Sequence, residues 1–196
     1  MSEQVDPSHI MQVGMGFWAS KTLLSAVELE LFTRLGREAM TGGQIAESLK
    51  LHPRAIPDFP DALVALDLLD RDGQGSDALY SNTEATAVFL DKASPAYIGG
   101  ILEMSNARLY RFWGDLTEAL QTGMPQNEIK HTGKPMFEEL YSDPDRLEQF
   151  MNAMAGISLG PFEALAEGFD FSSYKTLCDV GGATGQLSIK IGRAHV

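Results

Sequence analysis

The chain has 196 residues, 44% of them hydrophobic, which is enough apolar side chain to bury a core in one large domain or two small ones. Asp and Glu total 27 against 15 Lys and Arg, a net charge of -12, so nucleic acid and anionic membranes are poor partners. Glu3 and Asp6 precede the first apolar run, and no stretch approaches the roughly 18 apolar residues of a spanning helix. Secretion and membrane insertion are therefore not expected.

The first predicted helix begins at Asp6 and Pro7, which are typical of an N-cap followed by proline at the first helical position. Apolar residues then recur near helical spacing from Ile10 to Leu35. A terminal helix this apolar either packs on its own domain or packs on a second subunit. The sequence favours neither interpretation over the other.

Two helices and a hairpin are predicted next. Thr41 to Gln44 matches a capping box, a second helix follows His52 and Pro53, and the run from Asp70 to Gly75 indicates a hairpin turn before a return strand. Helix, helix, hairpin is the winged-helix pattern. DNA binding is disfavoured because the second helix region offers Arg54 alone against four acidic residues, Asp58, Asp61, Asp67 and Asp70. The module is therefore interpreted as a scaffold for association.

A second helical region follows. Ser81 to Glu84 matches another capping box, and Ser94 with Pro95 predicts the start of a longer helix through Leu116. That helix contains Phe112 and Trp113, which at helical spacing are more often core than substrate-lining. The residues from Gly123 to Gly133 are predicted to form a loop.

The next predicted helix is capped by Asp143 and Pro144 and mixes methionines with Asn152, Ser158, Gly156 and Gly160. Packed helices exclude such a mixture unless a small molecule binds nearby. The alternative is that the methionines fill irregular gaps in a core. No Cys, His or carboxylate group shows metal-ligand spacing, so no metal is expected.

A glycine-rich turn near the end follows a predicted strand, Thr176 to Val180, and precedes a helix that restarts at Leu187. Such a turn aims main-chain N–H groups at a ligand. It is not a strict dinucleotide fingerprint because Ala183 and Gln186 occupy two glycine places, and it is not a phosphate loop because Gln186 follows Gly185. The single cysteine, Cys178, is predicted to be buried in this strand, and its lack of a disulfide partner favours the cytoplasm.

The glycine-rich turn therefore consists of an acidic residue, Asp179, followed by a G-x-x-x-G sequence from Gly181 to Gly185, after a predicted strand. This pattern resembles motif I of class I S-adenosylmethionine-dependent methyltransferases. With Ala26 to Phe32 and Phe59 to Leu66, the chain resembles the cation-independent small-molecule O-methyltransferases, the group of caffeate-type, acetylserotonin-type and hydroxyneurosporene-type enzymes. Two residues depart from that pattern, Glu30 and Ala183, which stand where many relatives have glycine.

The resemblance implies three parts. They are a mostly α, winged-helix-like dimerisation domain over residues 1–93, a helical connector over 94–170 and, over 171–196, the first strand, turn and helix of a truncated α/β Rossmann-like methyltransferase domain. It also implies a homodimer through the N-terminal domain, whose first helix reaches toward the partner's active site.

S-adenosyl-L-methionine is the cofactor that the resemblance implies, with a small-molecule hydroxyl compound as acceptor. The implied cofactor-binding residues are Asp179, Gly181, Gly182, Gly185, Phe150, Met154 and Ser158. The implied substrate-lining residues are Phe17, Trp18, Trp113 and Met151. No catalytic residue is assigned, because the context of the family's general-base histidine matches none of His9, His52, His131 and His195.

Relatives of this family continue for well over a hundred further residues, so we expect the present chain to be truncated, inactive and still able to dimerise. The last six residues, Ile191 to Val196, also correspond to a common sequencing adapter translated in one frame, which predicts that native sequence ends near Lys190. The alternative is a genuine stop, or an arbitrary cut after a helix, that happens to read this way. The alternative function is a non-catalytic winged-helix module that binds a ligand or mediates dimerisation.

Overall fold

The computed structural model describes residues 5–194, with side chains described as far as Gly192. The chain divides into two compact units, unit 1 ending at Ser94 and unit 2 beginning at Pro95. No helix in the described part of the chain combines the length and apolar content that a membrane crossing requires. His195 and Val196, and with them the end of the predicted adapter segment, lie outside the described residues.

Unit 1 combines short helices with a small antiparallel sheet whose strand order is β1-β3-β2. The bounds are α1 Ser8–Glu28, α2 Leu31–Leu35, β1 Met40–Thr41, α3 Gly42–Ser48, a 3-10 turn Pro53–Ala55, α4 Asp58–Ala65, β2 Leu69–Asp72, a 3-10 turn Gly75–Asp77, β3 Leu79–Asn82 and α5 Glu84–Phe89.

The first apolar run forms two helices, because Glu30 adopts the left-handed conformation with φ 57° and ends the hydrogen-bond ladder between α1 and α2. Helix α1 begins one residue later than predicted, and the Asp6 carboxylate accepts a 3.0 Å hydrogen bond from the Ser8 N–H. Its second half supplies buried side chains to unit 1, whereas its first half is exposed. Packing on its own domain therefore holds for the second half of this helix, and packing of the first half on a second subunit stays a prediction.

The predicted capping box and hairpin are both confirmed. The Thr41 N–H donates to Gln44 Oε1 at 2.8 Å, and the Gln44 N–H donates to the Thr41 hydroxyl at 3.3 Å. Strands β2 and β3 pair antiparallel, with Arg71 opposite Tyr80. The Tyr80 hydroxyl donates to Asp61 Oδ1 at 2.7 Å, which ties the hairpin to α4.

The capping box predicted at Ser81 to Glu84 is wrong. Ser81 and Asn82 belong to β3, and Thr83 is the N-cap of α5, where its hydroxyl accepts a 3.3 Å hydrogen bond from the Thr86 N–H. The Asn82 side chain is used elsewhere, since its Nδ2 donates to the Phe32 and Gly36 carbonyls at 2.8 and 3.0 Å. Ser81 and Asn82, which the local sequence pattern assigned to a helix cap, are therefore part of a paired strand.

Helices are the regular secondary structure of unit 2 over its described residues. The bounds are α6 Gly99–Met104, a π-helical turn Ser105–Leu109, α7 Tyr110–Trp113, α8 Leu116–Thr122, α9 Glu128–Thr132, α10 Met136–Ser142, α11 Pro144–Gly168 and α12 Gln186–Ala194.

Two predictions in the first half of unit 2 differ from the structure. No helix begins at Ser94 and Pro95, because the chain turns there and α6 starts at Gly99. The predicted loop from Gly123 to Gly133 is confirmed as far as Asn127 and wrong beyond it, because α9 begins at Glu128. Asn127 caps this helix by accepting a 3.0 Å hydrogen bond from the Ile129 N–H.

Helix α11 begins as predicted, with Asp143 as its N-cap and Pro144 at its first position. A side-chain carbon added at Gly156 would lie 3.2 Å from the Tyr97 carbonyl oxygen, and one added at Gly100 would lie 3.3 Å from the Ala153 nitrogen. The small residues of α11 thus let neighbouring backbone approach closely. At Gly156, packing within unit 2 explains the missing bulk without a bound molecule.

The strand predicted over Thr176 to Val180 is absent from the described residues. Leu177 and Cys178 are exposed, so the prediction that Cys178 is a buried residue of this strand is also wrong. A strand requires a neighbour that accepts and donates its main-chain hydrogen bonds. The described residues of unit 2 contain no strand to fill that role. The cytoplasmic location inferred from this cysteine stays a prediction.

Candidate functional site

The glycine turn from Asp179 to Gly185 has an irregular backbone that favours glycine. Gly181 and Gly185 have φ values of 76° and 71°, and Ala183 adopts φ 45°. Carbons added at Gly181 or Gly185 would meet nothing within 4 Å, so the main chain is open to approach at both places.

Asp179 lies directly against this turn. A carbon added at Gly182 would lie 2.6 Å from Asp179 Oδ2, so a larger residue there would force the carboxylate to move. The Ser188 hydroxyl donates to the same oxygen at 3.3 Å, which links the acidic residue to α12. The structure therefore brings Asp179 and Gly182 together, with Gly181 and Gly185 on the same turn.

Helix α12 begins directly after the turn, at Gln186, and packs against α11. The Gly185 N–H donates to the Gly182 carbonyl at 2.6 Å, and the Ile189 N–H donates to the Gly185 carbonyl at 3.0 Å. The Lys190 ammonium pairs with Glu163 of α11. These contacts hold the turn beside α11.

The remaining predicted residues of unit 2 lie on two helices. Phe150, Met151, Met154 and Ser158 are half-buried residues of α11. The Phe150 ring meets the Phe137 ring edge-on, with centroids 6.5 Å apart. Trp113 ends α7 and is 72% exposed.

Phe17 and Trp18 lie in unit 1, on the exposed half of α1, with ring centroids 5.4 Å apart. Trp18 borders an open groove of about 490 Å³ in the same unit. The groove is lined by Trp18, Lys21, Thr22, Ser25, Leu29, Leu51, Ala55 and Phe59.

An open cavity of about 620 Å³ lies beside the segment that precedes the turn. The rings of Phe169 and Phe171, 4.6 Å apart, form part of its wall, and Ile191 of α12 forms another part. The unpaired residues from Lys175 to Cys178 line it as well. The cavity thus lies beside the segment that was predicted to be a strand. Its walls combine apolar side chains with main chain that makes no strand pairing.

The described histidines form no catalytic cluster. His52 Nδ1 accepts a 3.2 Å hydrogen bond from the Arg54 N–H, and the His131 ring stacks on Phe112 with centroids 6.2 Å apart. Among the described residues, no three His, Cys, Asp or Glu side chains lie close enough together to hold a metal ion.

Sequence reasoning missed the ion pair of Arg108 and Glu128, whose side chains are 13% and 8% exposed. Arg108 Nε donates to Glu128 Oε1 at 2.6 Å. Burial raises the pKa of Glu128, but hydrogen bonds from Arg108 and from its own backbone, with the charges of Arg108 and Arg146, hold that pKa below its usual value. The pair joins residues 20 positions apart. Asn127, a residue type that favours the N-cap position, is the local signal that could have indicated a helix start at Glu128.

Each of the two units contains a match to a family model. The family model of the O-methyltransferase dimerisation domain matches residues 11–92, and that of the O-methyltransferase domain matches residues 113–195. The chain belongs to the O-methyltransferase family, as its sequence resemblance predicted.

Individual relatives agree with this assignment. The chain is 39% identical, over 96% of its length and 54% of the relative's, to the tetracenomycin polyketide synthesis 8-O-methyl transferase TcmO of Streptomyces glaucescens. It is 35% identical, over 95% of its length and 53% of the relative's, to the N,N-dimethyltransferase OxyT of Streptomyces rimosus.

The structure of human N-acetylserotonin methyltransferase in complex with SAM matches with a TM-score of 0.88 and 25% identity. That match covers 100% of this chain and 58% of the human chain. The present chain therefore spans about half the length of the curated relatives and of this solved structure.

Proposed function

We propose that the full-length protein transfers a methyl group from S-adenosyl-L-methionine to a hydroxyl of a small aromatic or polyketide-like molecule. The observation that carries this proposal is the open glycine turn held against Asp179, in a chain that also has the family's dimerisation domain. The names of TcmO and of the human N-acetylserotonin enzyme support the acceptor class and the cofactor.

The turn fits the cofactor because a ligand can approach its main chain without meeting a side chain at Gly181 or Gly185. In this proposal Asp179, Gly181, Gly182 and Gly185 hold the cofactor, and Phe150, Met154 and Ser158 of α11 border it. When bound, the cofactor supplies a methyl group already activated by a sulfonium. The protein then has to hold the acceptor oxygen in line with that methyl group and accept its proton.

Met151 and Trp113 are proposed to line the acceptor site, together with Phe17 and Trp18 supplied by a second copy. A general base is still required, and we place it in the sequence that the longer relatives have beyond this chain. The present chain is accordingly proposed to be inactive. We keep 1–93, 94–170 and 171–196 as the proposed boundaries of the three parts, with a winged-helix-like form for the first.

The proposed homodimer uses the exposed half of α1. Ile10, Met11, Val13, Met15, Phe17 and Trp18 are each at least 42% exposed there. The run from Pro7 to Ser20 contains no Asp, Glu, Lys or Arg, although the chain has a net charge of -12. An uncharged apolar surface of this kind is typical of an interface.

Light scattering after size exclusion tests the dimer. At micromolar concentration we expect twice the mass of one chain, and Val13→Glu should give a monomer because it buries an unpaired charge in the interface. Gln12→Glu adds the same charge on the same helix at a residue that is already polar, and should leave the dimer intact. A monomeric parent protein would contradict this part of the proposal.

Methyl transfer is tested with the protein expressed together with the coding sequence downstream of Lys190. With S-adenosyl-L-methionine and a panel of phenols, we expect methylated product that is absent without protein. A matched panel of aromatic amines distinguishes oxygen from nitrogen acceptors, since OxyT is named an N,N-dimethyltransferase. The 196-residue chain should give no product. Transfer by the short chain, or no transfer to any phenol by the longer protein, would contradict the proposal.

A further inference from the structure

The helical region that leads to Trp113 contains an unusual turn. Between α6 and α7, residues Ser105 to Leu109 form a π-helix. A π-helical turn widens the ladder by one residue, is rare, and is found often at functional sites. Because this form is rare, we looked for side-chain contacts that stabilise it.

Arg108 lies within the π-turn and makes the buried contact described above, with Glu128 at the first position of α9. The second carboxylate oxygen, Glu128 Oε2, is buried and has no hydrogen-bond partner. A buried carboxylate with one oxygen left without a hydrogen-bond partner is costly to form, even with Arg108 beside it and the charge of Arg146 nearby. Well-packed apolar side chains would stabilise the same contact at least as well.

A second contact joins the same two elements. Phe112 lies four residues after Arg108, is buried, and stacks on His131, which lies three residues after Glu128. Helix α9 therefore contacts the π-turn and α7 through one charged pair and one ring pair. The next residue, Trp113, remains exposed.

Ion pairs on the surface of α9 differ from this one. Lys130 pairs with Asp115 at 3.3 Å and with Glu118 at 2.7 Å, and the acidic side chains of both pairs are about half exposed. Exposed pairs of this kind contribute little and constrain little. The Arg108–Glu128 pair is more restrictive, because its side chains are only 13% and 8% exposed and water screens their attraction less.

We propose that Arg108 and Glu128 are positioning residues, which fix the π-turn and thereby the direction in which α7 presents Trp113 to a planar aromatic acceptor. This inference rests on the proposed function, because it assigns the acceptor side of the same site. It adds two residues that touch neither the turn at Asp179 nor, in this account, the acceptor itself.

The experiment uses the whole chain with both tryptophans, Trp18 and Trp113, and the Trp113→Phe protein measured in parallel gives the Trp18 fluorescence, which is subtracted. Glu128→Gln keeps the shape of the side chain and removes its charge, and Arg108→Lys keeps the charge and removes the planar fork. Lys130→Met is the matched control, since it removes the surface pairs of the same helix. Amide hydrogen exchange and the quenching of Trp113 by the aromatic alcohol 1-naphthol are measured for each protein.

We expect Glu128→Gln and Arg108→Lys to speed exchange at residues 105–113 about tenfold while α11 stays as protected as in the parent. Their affinity for 1-naphthol should fall about tenfold, because a small displacement of a positioned group carries a large effect. Lys130→Met should change neither quantity.

Three results would overturn the inference. They are an unchanged 1-naphthol affinity in both variants, a loss of protection spread evenly over unit 2, and no quenching in the parent. The outcome is separable from that of the methyl-transfer assay. Transfer by the longer protein without an effect of the pair defeats this inference alone, and pair-dependent 1-naphthol binding without any transfer defeats the proposed function alone.

Discussion

The hairpin of unit 1 and the segment from Lys175 to Val180 of unit 2 are both short stretches with strand-like sequences, yet only the hairpin forms a sheet. Strand β3 has β1 on one side and β2 on the other, all within unit 1. The segment in unit 2 has no strand beside it in the described residues, and its apolar side chains remain exposed. A strand is therefore defined as much by its neighbours as by its own residues.

The largest expected effect comes from shortening one leucine on each side of this comparison. Leu63 is fully buried in α4, so Leu63→Ala should lower the free energy of unfolding of unit 1 by about 3 kcal/mol. Leu177→Ala makes the same change where the side chain is 51% exposed and should cost less than about 0.5 kcal/mol. Urea unfolding checks both. Equal losses would mean that the segment of unit 2 is packed.

The next effect concerns helix ends. Asn82→Asp removes the donor that serves the Phe32 and Gly36 carbonyls and places a carboxylate against them, at an expected cost of about 2 kcal/mol. In unit 2, Asn127→Asp keeps the acceptor that caps α9 and should change stability by less than about 0.5 kcal/mol. Thermal unfolding of the two variants measures the difference, and similar melting temperatures would contradict it.

A smaller effect is expected at the hydroxyl of Tyr80. Tyr80→Phe removes the hydrogen bond to Asp61 and should cost about 1 kcal/mol, whereas Tyr141→Phe alters a 70% exposed ring in unit 2 and should have no measurable cost. Burial, and then the bond to Asp61, raise the pKa of Tyr80.

Because this pKa is raised on folding, the contribution of Tyr80 is fully present below the unfolded value of about 10 and is lost as pH rises through the folded value. Urea unfolding at pH 7 to 11 checks this. A difference between parent and Tyr80→Phe that does not shrink at high pH would contradict it.

The smallest effect is expected at Glu30, where the family resemblance predicts glycine. Glu30→Gly relieves a left-handed conformation worth about 1 kcal/mol but removes the 2.8 Å pair with Lys92, whose exposed charges contribute at most about 1 kcal/mol. The net change in unfolding free energy should lie within about 1 kcal/mol of zero.

Glu30→Gln keeps the strain and tests the pair alone. The Lys92 hydrogen bond, and then its charge, lower the pKa of Glu30, so its contribution is present above the unfolded value of about 4.3 and is lost as pH falls through the folded value. Denaturation at pH 3 and pH 7, each at low and high salt, measures it. A parent advantage over Glu30→Gln that is larger at pH 3 than at pH 7 would contradict the assignment.

Features with local causes could be predicted from the sequence. The capping box at Thr41, the hairpin around Gly73 and the cap at Asp143 each depend on residues within a few positions of one another. Features with distant causes could not. Asn82 serves carbonyls more than 40 residues away, and Arg108 bonds Glu128 across 20 positions.

In the candidate site, too, features with local causes could be predicted and those with distant causes could not. The glycines and Asp179 could be found because one turn contains them all, and the structure brings Asp179 against Gly182. Their role in holding the cofactor stays a prediction. The strand before the turn was predicted from its own residues, but pairing depends on a neighbour that the described residues lack. The cofactor and acceptor roles of Phe150, Met151, Met154 and Ser158 stay predictions.

The most direct test of the account is the calorimetric titration of S-adenosyl-L-methionine into two proteins, the 196-residue chain and the protein continued beyond Lys190. We expect binding by the longer protein, and its loss on Asp179→Ala, because strands beside Lys175 to Val180 complete the crevice that the turn begins. The short chain should not bind. Equally tight binding by the short chain, or no binding by the longer one, would contradict the account.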